Sequence, residues 1–209
     1  MCRATSGIKC GGNYSGIKIN MLLGEFLQEQ IAKIMLEDKK METIVYRKAQ
    51  EQDAEKIVEF FNMIGGETSF MSFEKDEYPL SAKEQAELIR SFEGDKTNTM
   101  LLAMDGDEIA GLSTITSSHK IKSRHIAELG IVVAKKYHGN GIGTSLIHQV
   151  TDWVKGNGIT TKMRLDVRAD NLKAVQMYLK MGFVVEGHIK HSTLLNGIYY
   201  DDYVMGKML

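Results

Sequence analysis

The sequence predicts an α/β protein, and three observations carry that prediction. Strand-like and helix-like hydrophobic periods alternate from about residue 41 to the C-terminus. A run rich in β-branched residues, Ile126 to Val133, leads through Tyr137-His138-Gly139-Asn140-Gly141-Ile142-Gly143-Thr144 into a helical pattern. The composition, 43% hydrophobic and 25% charged over 209 residues, is ordinary for a folded globular chain.

Taken in order, Thr43-Ile44-Val45-Tyr46 reads as a strand. Asp53 to Met63 reads as an amphipathic helix with Ile57, Val58, Phe60 and Phe61 on or near one face, ended by Gly65-Gly66. An irregular stretch continues to Leu80. Ser81-Ala82-Lys83-Glu84 has the form of a capping box, so a second helix is expected from Ala82 to about Ser91. Thr99 to Met104 and Glu108 to Thr116 pair as a hairpin around Asp105-Gly106. Ile126 to Val133 is the next strand. Ile142 to Val154 is a helix, because Ile142, Leu146, Val150 and Trp153/Val154 fall on one side. Met163 to Val167 is a strand. Asn171 is the N-cap of a helix ending near Met181-Gly182. Two last strands, Phe183 to Ile189 and Tyr199 to Met205, flank a loop holding Asn196-Gly197.

Residues 1–40 read differently. They begin Gly/Ser-rich and aperiodic, then carry a loose helical stripe of Leu23, Phe26, Leu27, Ile31 and Ile34. The expectation is an N-terminal extension, disordered or not native, joined to a domain spanning 41–209. One explanation is a true start at Met41, since Leu36-Glu37-Asp38 can be encoded by a purine-rich tract resembling a bacterial ribosome-binding site.

Several function classes are excluded early. A net charge of -1 gives no basic surplus for nucleic acid. The two cysteines, Cys2 and Cys10, both precede the body, which leaves it no cysteine nucleophile and no cysteine-based zinc site. So few cysteines fit a reducing cytoplasm. Met21-Leu22-Leu23 is cut by Gly24 and Glu25, so no membrane helix or secretory core is expected.

The glycine turn is the strongest local signal. Glycine lets a ligand approach the backbone closely, and a helix N-terminus presents N–H groups and a positive dipole end to a diphosphate. A dinucleotide fingerprint needs glycines at the first, third and sixth positions, and neither Gly139 nor Gly141 starts one. No lysine follows, which excludes a P-loop. On spacing alone, a tight turn without a ligand remains equally open.

His138-Gly139-Asn140-Gly141-Ile142-Gly143, after the strand, resembles the Arg/Gln-x-x-Gly-x-Gly/Ala motif of the GNAT superfamily of acetyl-CoA-dependent N-acetyltransferases. His138 departs from the usual Arg or Gln, but main-chain donors do most of the diphosphate binding. A second segment, Asp170-Asn171-x-x-Ala174-x-x-x-Tyr178-x-x-x-Gly182-Phe183, is similar to the family's helix after its fifth strand. The resemblance runs from about Ile44 to the C-terminus. It implies a GNAT fold: a mixed, twisted central sheet with helices on both faces, whose fourth and fifth strands splay to admit the pantetheine arm. It implies acetyl-CoA as cosubstrate, no metal, and cofactor contacts from Ile131, Val132, Val133, His138, Gly139, Asn140, Gly141, Ile142, Gly143, Thr144 and Asn171. Homodimers are frequent in such families, so a homodimer is expected.

The implied reaction is attack of an amine on the acetyl thioester, with coenzyme A thiolate leaving. An alkylammonium with a pKa of about 10.4 lies more than three units from neutrality at pH 7, or roughly 4–5 kcal/mol of deprotonation. Glu128 is the candidate base, acting through a water. Period-2 alternation puts Glu128, Gly130 and Val132 on one face and Leu129, Ile131 and Val133 on the other. A strand-edge salt bridge is the plain alternative. The resemblance implies an oxyanion site of backbone N–H groups from Ile131, Val132 or Val133, where the family's strand is bulged. Tyr178, sharing a face with Ala174, Val175 and Leu179, is the candidate acid toward the thiolate; a core tyrosine is the alternative. Asn171 serves as cap first and cofactor contact second.

Other residues carry less. His188-x-x-His191 points to opposite faces of a strand, against a metal pair. Glu67, Asp76 and Glu77 would suit a cationic amine near the family's acceptor lid, or form a solvated acidic loop. Asp201-Asp202 either reach the acceptor channel or decorate an edge. The C-terminal segment looks like that of family members acting on small amines or protein N-termini. The alternative from another class is a non-catalytic acyl-CoA sensor of the same fold; retention of Glu128 and Tyr178 favours the enzyme.

Overall fold

The computed structural model of the chain describes residues 44–209, together with Gln28. The expected extension at 1–40, its helical stripe and the boundary near Met41 lie outside the described residues. Ile44–Leu209 forms one compact unit.

Seven strands make one sheet: β1 (Ile44–Lys48), β2 (Thr99–Asp105), β3 (Glu108–Ser117), β4 (Ile126–Val133), β5 (Lys162–Arg168), β6 (Val184–Leu195) and β7 (Ile198–Met208). Their order is β1-β2-β3-β4-β5-β7-β6. The β4–β5 pair is parallel and the other pairs are antiparallel, so the sheet is mixed. Four α-helices flank it: α1 (Ala54–Glu67), α2 (Ala82–Ser91), α3 (Ile142–Gly156) and α4 (Leu172–Lys180).

Helices cover both faces of the β2–β3 region, where nearly every successive residue is buried. On one face α3 lies over β3 and β5. A Cβ on Gly111 would stand 3.2 Å from Leu146 Cδ1, and Thr151 Oγ1 lies 3.6 Å from Met163 Sδ. On the other face α2 sets Gln85 Nε2 3.9 Å from Met100 Sδ, and α1 buries Ile57, Phe60, Phe61 and Ile64. This second face stays open over β4 and β5, where Glu128, Gly130 and Asp166 are exposed.

The capping box forms as expected: Glu84 N donates to Ser81 Oγ, and Glu84 Oε2 accepts from Ser81 N at 2.8 Å. Three expectations change. Gly65-Gly66 do not end α1; both lie inside the helix, which closes with Thr68 N donating to Ile64 O at 3.2 Å. A Cβ on Gly65 would lie 2.4 Å from Glu74 O, so that glycine serves the close approach of a neighbouring backbone. The last two strands reach further than expected. Asn196 and Gly197, at φ 50° and 77°, form a two-residue turn between them in place of a loop. Leu179 is exposed, so Tyr178 shares its inward face with Val175 and the partly buried Ala174 but not with Leu179.

Candidate active site

β4 and β5 pair only at Ile126–Lys162, Ala127–Met163 and Glu128–Arg164. Beyond that point β4 pairs with β3 as far as Val133, and β5 with β7 as far as Arg168. The two strands therefore part immediately after Glu128, as the resemblance implies.

The edge of β4 facing this gap follows from ladder arithmetic. Ala134 N donates to Ala110 O at 3.0 Å. Antiparallel pairs alternate between bonded and non-bonded, so Val132–Leu112 and Gly130–Thr114 are also bonded pairs. Ile131 and Val133 therefore turn their N–H groups to the gap, while that of Val132 faces β3. This corrects the expectation for Val132 as a main-chain donor. The ladder runs from Ala127 to Val133 without a register shift, so the bulge implied for this strand is absent from that pairing.

His138 explains its own departure from the motif. Its Nε2 lies 2.8 Å from Val133 O. A carbonyl only accepts, so Nε2 carries the proton there. The ring ties the turn back to the last residue of β4.

Gly139 and Gly141 adopt φ 86° and 74°, a region costly to a side chain, and a Cβ on either would point into open space. Gly141 is the N-cap of α3 and has no side chain to cap with; no acidic residue stands in the first turn. The first backbone bond of the helix is Ser145 N to Gly141 O at 2.9 Å. Ile142, Gly143 and Thr144 consequently offer N–H groups without a helical acceptor. This set of donors at a positive dipole end fits a diphosphate. Asn140 is half-buried beside it. Gly143 has no positive φ; its role is proximity, since a Cβ there would meet Met177 Sδ at 3.4 Å, Val133 Cγ2 at 3.7 Å and Ile131 Cδ1 at 3.9 Å. The start of α3, the end of β4 and the middle of α4 thus converge at the gap.

Asn171 caps α4, its Oδ1 accepting from Ala174 N at 3.3 Å. The other end of α4 explains the Tyr178…Gly182-Phe183 pattern. Gly182 sits at φ 87°; Phe183 N donates to Tyr178 O at 3.0 Å and Gly182 N to Leu179 O at 3.1 Å. These are the two bonds of a Schellman ending. Its accompanying apolar contact is the edge-on packing of Tyr178 on Phe183, with centroids 5.8 Å apart. The motif thereby fixes the ring of Tyr178. Burial pushes its phenol up to about 12, so the group stays protonated at neutral pH.

Glu128 is exposed on the open face, with Arg164 as cross-strand neighbour. Arg164 pairs instead with Asp166, 3.2 Å away, and among the described residues the Glu128 carboxylate makes no ion pair. The salt-bridge alternative is not what the structure contains.

Around the acceptor face several expectations shift. Glu67 accepts from Lys135 N at 2.8 Å, tying the end of α1 to the entry of the glycine turn. Glu77 accepts from Glu74 N at 3.1 Å. Neither is an idle anion. Asp201 turns to His188 Nε2 at 2.8 Å and His191 N at 2.9 Å. Asp202 takes a bond from Ser192 Oγ at 2.5 Å and keeps Oδ1 buried without a partner. Sequence reasoning missed Arg168, a buried guanidinium that binds Asp170 and Ser69 and lies between Phe70 and Tyr200. Asp170 lies two residues away, but Ser69 and Phe70 on one side and Tyr200 on the other come from two distant segments that no local pattern marks.

A parted strand pair beside an uncapped, glycine-led helix is the arrangement that the resemblance to acetyl-CoA-dependent transferases implies. The model of the Acetyltransferase (GNAT) family matches residues 67–183, and the chain belongs to that family. It is 33% identical to the acetyltransferase of GNAT family from Streptococcus pneumoniae, whose structure covers 79% of this chain and 99% of its own, with a TM-score of 0.77. It is 29% identical over 109 residues to the L-amino acid N-acetyltransferase AaaT of Escherichia coli K12, spanning 52% of this chain and 67% of that protein. It is 28% identical over 143 residues to a spermidine N(1)-acetyltransferase of Vibrio cholerae, spanning 68% and 82% of the two chains.

Proposed function

We propose that this chain moves the acetyl group of acetyl-CoA to the amine of a small molecule or a peptide N-terminus by direct attack. The observation that carries the reading is the parting of β4 from β5 after Glu128, at the mouth of which Gly139–Thr144 present free N–H groups. The pantetheine arm lies in the gap and its diphosphate on the turn. The gap-facing N–H groups of Ile131 and Val133 receive the carbonyl oxygen as it becomes an oxyanion. Glu128 takes a proton from the incoming ammonium through a water. Tyr178 meets the departing sulfur. A phenol near 12 is a weaker acid than a thiol of about 8.5, so its first role is to donate a hydrogen bond to the thiolate. With its two cysteines at positions 2 and 10, the body has no thiol to carry an acetyl intermediate, which favours direct transfer over a covalent relay.

The relatives' names, an L-amino acid and a spermidine acetyltransferase, favour a small amine as acceptor and an enzyme over a silent sensor. No described helix is long and apolar enough to cross a membrane. We assign the chain to the cytoplasm as a homodimer, with 41–209 as the transferase domain and 1–40 appended. The test is calorimetry of the purified chain with acetyl-CoA, followed by thiol release across amino acids, polyamines and N-terminal peptides. Binding with release for one class is expected. Binding without release over the panel would restore the sensor, and no binding at millimolar acetyl-CoA would sink both.

A further inference from the structure

Arg168, the last residue of β5, is 8% exposed. Its Nε and Nη2 donate to the two oxygens of Asp170 at 3.0 and 2.7 Å, a planar fork on a carboxylate. The remaining nitrogen, Nη1, donates to Ser69 O at 2.5 Å. The Cζ atom lies 4.6 Å from the ring centre of Phe70 and 4.1 Å from that of Tyr200. One side chain thus joins the segment after α1, the lead-in to α4 and the start of β7. Arg168 shares the open face of β5 with Arg164 and Asp166, beyond the paired Glu128.

The segment 68–80 is anchored unevenly. Its far part is held by α1 and α2: Tyr78 N donates to Asn62 Oδ1 at 3.0 Å, Tyr78 OH to Gln85 Oε1 at 2.7 Å, and Tyr78 stacks on Phe61 at 4.4 Å. In its near part, Thr68 and Phe70 N–H bond only within the segment or to α1, and Phe70 is 42% exposed. Arg168 ties this part to the sheet.

We infer that Arg168 is a positioning residue that clasps Ser69 and Phe70 against β5 and β7, and so shapes the acceptor side of the gap. The inference rests on the acetyltransferase reading for its kinetic consequence, but the clasp itself is testable without activity. Lysine keeps the charge and loses the fork, so Arg168→Lys is the conservative variant; Arg168→Gln removes both. Phe70→Leu removes the stacking and leaves the ion pair.

Two readouts on the full chain test it. Chymotryptic cleavage after Phe70 is expected to quicken about tenfold in Arg168→Gln and less in Arg168→Lys, beyond any change at cleavage sites outside segment 68–80. The acceptor KM is expected to rise about tenfold in Arg168→Gln, with partial recovery in Arg168→Lys and a smaller rise in Phe70→Leu, while kcat and the acetyl-CoA KM hold. Unchanged cleavage in Arg168→Gln overturns the clasp. Faster cleavage with an unchanged acceptor KM overturns its positioning role. A wild-type chain that acetylates nothing defeats the transferase reading and with it the kinetic consequence, while cleavage still decides the clasp.

Discussion

On the proposed reading, the two sides of the gap recognise their ligands by different means. The diphosphate side is backbone: Gly139 and Gly141 at positive φ, free N–H groups at the head of α3, and His138 holding the turn to Val133. The acceptor side is side chains that neutralise one another, Arg164 with Asp166, Arg168 with Asp170 and Lys162 with Glu186, beside the hydrogen-bonded pair His188 and Asp201. A backbone site demands glycines at fixed places, whatever the ligand's variant. A site of paired charges can be rebuilt with other residues as the acceptor changes. Glu128 and Tyr178 stand where the two sides meet. On this division, substitutions in the turn act on acetyl-CoA affinity, those on the open face on the acceptor, and those at the seam on turnover.

The largest effect is expected at the seam. Tyr178→Phe should lower kcat roughly 10²-fold with acetyl-CoA affinity intact, checked by steady-state kinetics and calorimetry. The hydroxyl makes no hydrogen bond to a described residue, so its removal leaves the packing on Phe183 and the melting temperature unaltered. The phenol's raised value also gives the sign of the pH profile. It loses its proton only near pH 12, so the rate should climb as the acceptor amine is freed, with no fall below pH 10 owing to Tyr178. A normal kcat in Tyr178→Phe would return this residue to the core. Glu128→Gln comes next: about tenfold to a hundredfold lower turnover at pH 7, recovering as pH approaches the amine's own pKa of about 10.4. A loss that stays constant with pH would deny Glu128 the base role.

How much of this was legible depends on the same division. The alternation of elements, the capping box at Ser81, the β2–β3 hairpin (its turn falling one residue on, at Gly106-Asp107) and the cap at Asn171 were readable because each is set by neighbours in sequence. The glycine turn was readable because only glycine accepts φ 86° and 74° without strain. Gly65-Gly66 misled for the converse reason. They look like a helix stop, yet Gly65 answers to Glu74 O, nine residues on, through a close approach that local pattern does not encode. Arg168, Glu67 and the choice between Ile131 and Val132 N–H depend on register and distant partners, so sequence spacing left them open.

The two glycine sites sharpen the contrast in one experiment. Gly141→Ala places a side chain at φ 74°, a cost of about 1–2 kcal/mol in the free turn. If the ligand needs that conformation, acetyl-CoA affinity falls about tenfold, since 1.4 kcal/mol is one decade. Gly65→Ala gains about 1 kcal/mol of helix propensity but drives a Cβ to 2.4 Å from Glu74 O. Overpacking of about 1–3 kcal/mol outweighs the gain, so the melting temperature drops and acetyl-CoA affinity barely moves. Equal affinity losses in the two variants would erase the division between ligand glycine and packing glycine.

The smallest effect tests whether the two sides communicate. Glu67, beside that packing glycine, accepts from Lys135 N at 2.8 Å, just before the turn. A partly exposed bond of this kind is worth about 1 kcal/mol, so Glu67→Ala should weaken acetyl-CoA binding by about fivefold or less. Glu67→Gln keeps a carbonyl oxygen in the same position and should restore most of it. If Glu67 instead drew a cationic acceptor by charge, glutamine would behave like alanine, and the defect would appear in the acceptor KM. Recovery by glutamine, with the acceptor KM unmoved, assigns Glu67 to the backbone side of the gap, although it stands at the end of α1.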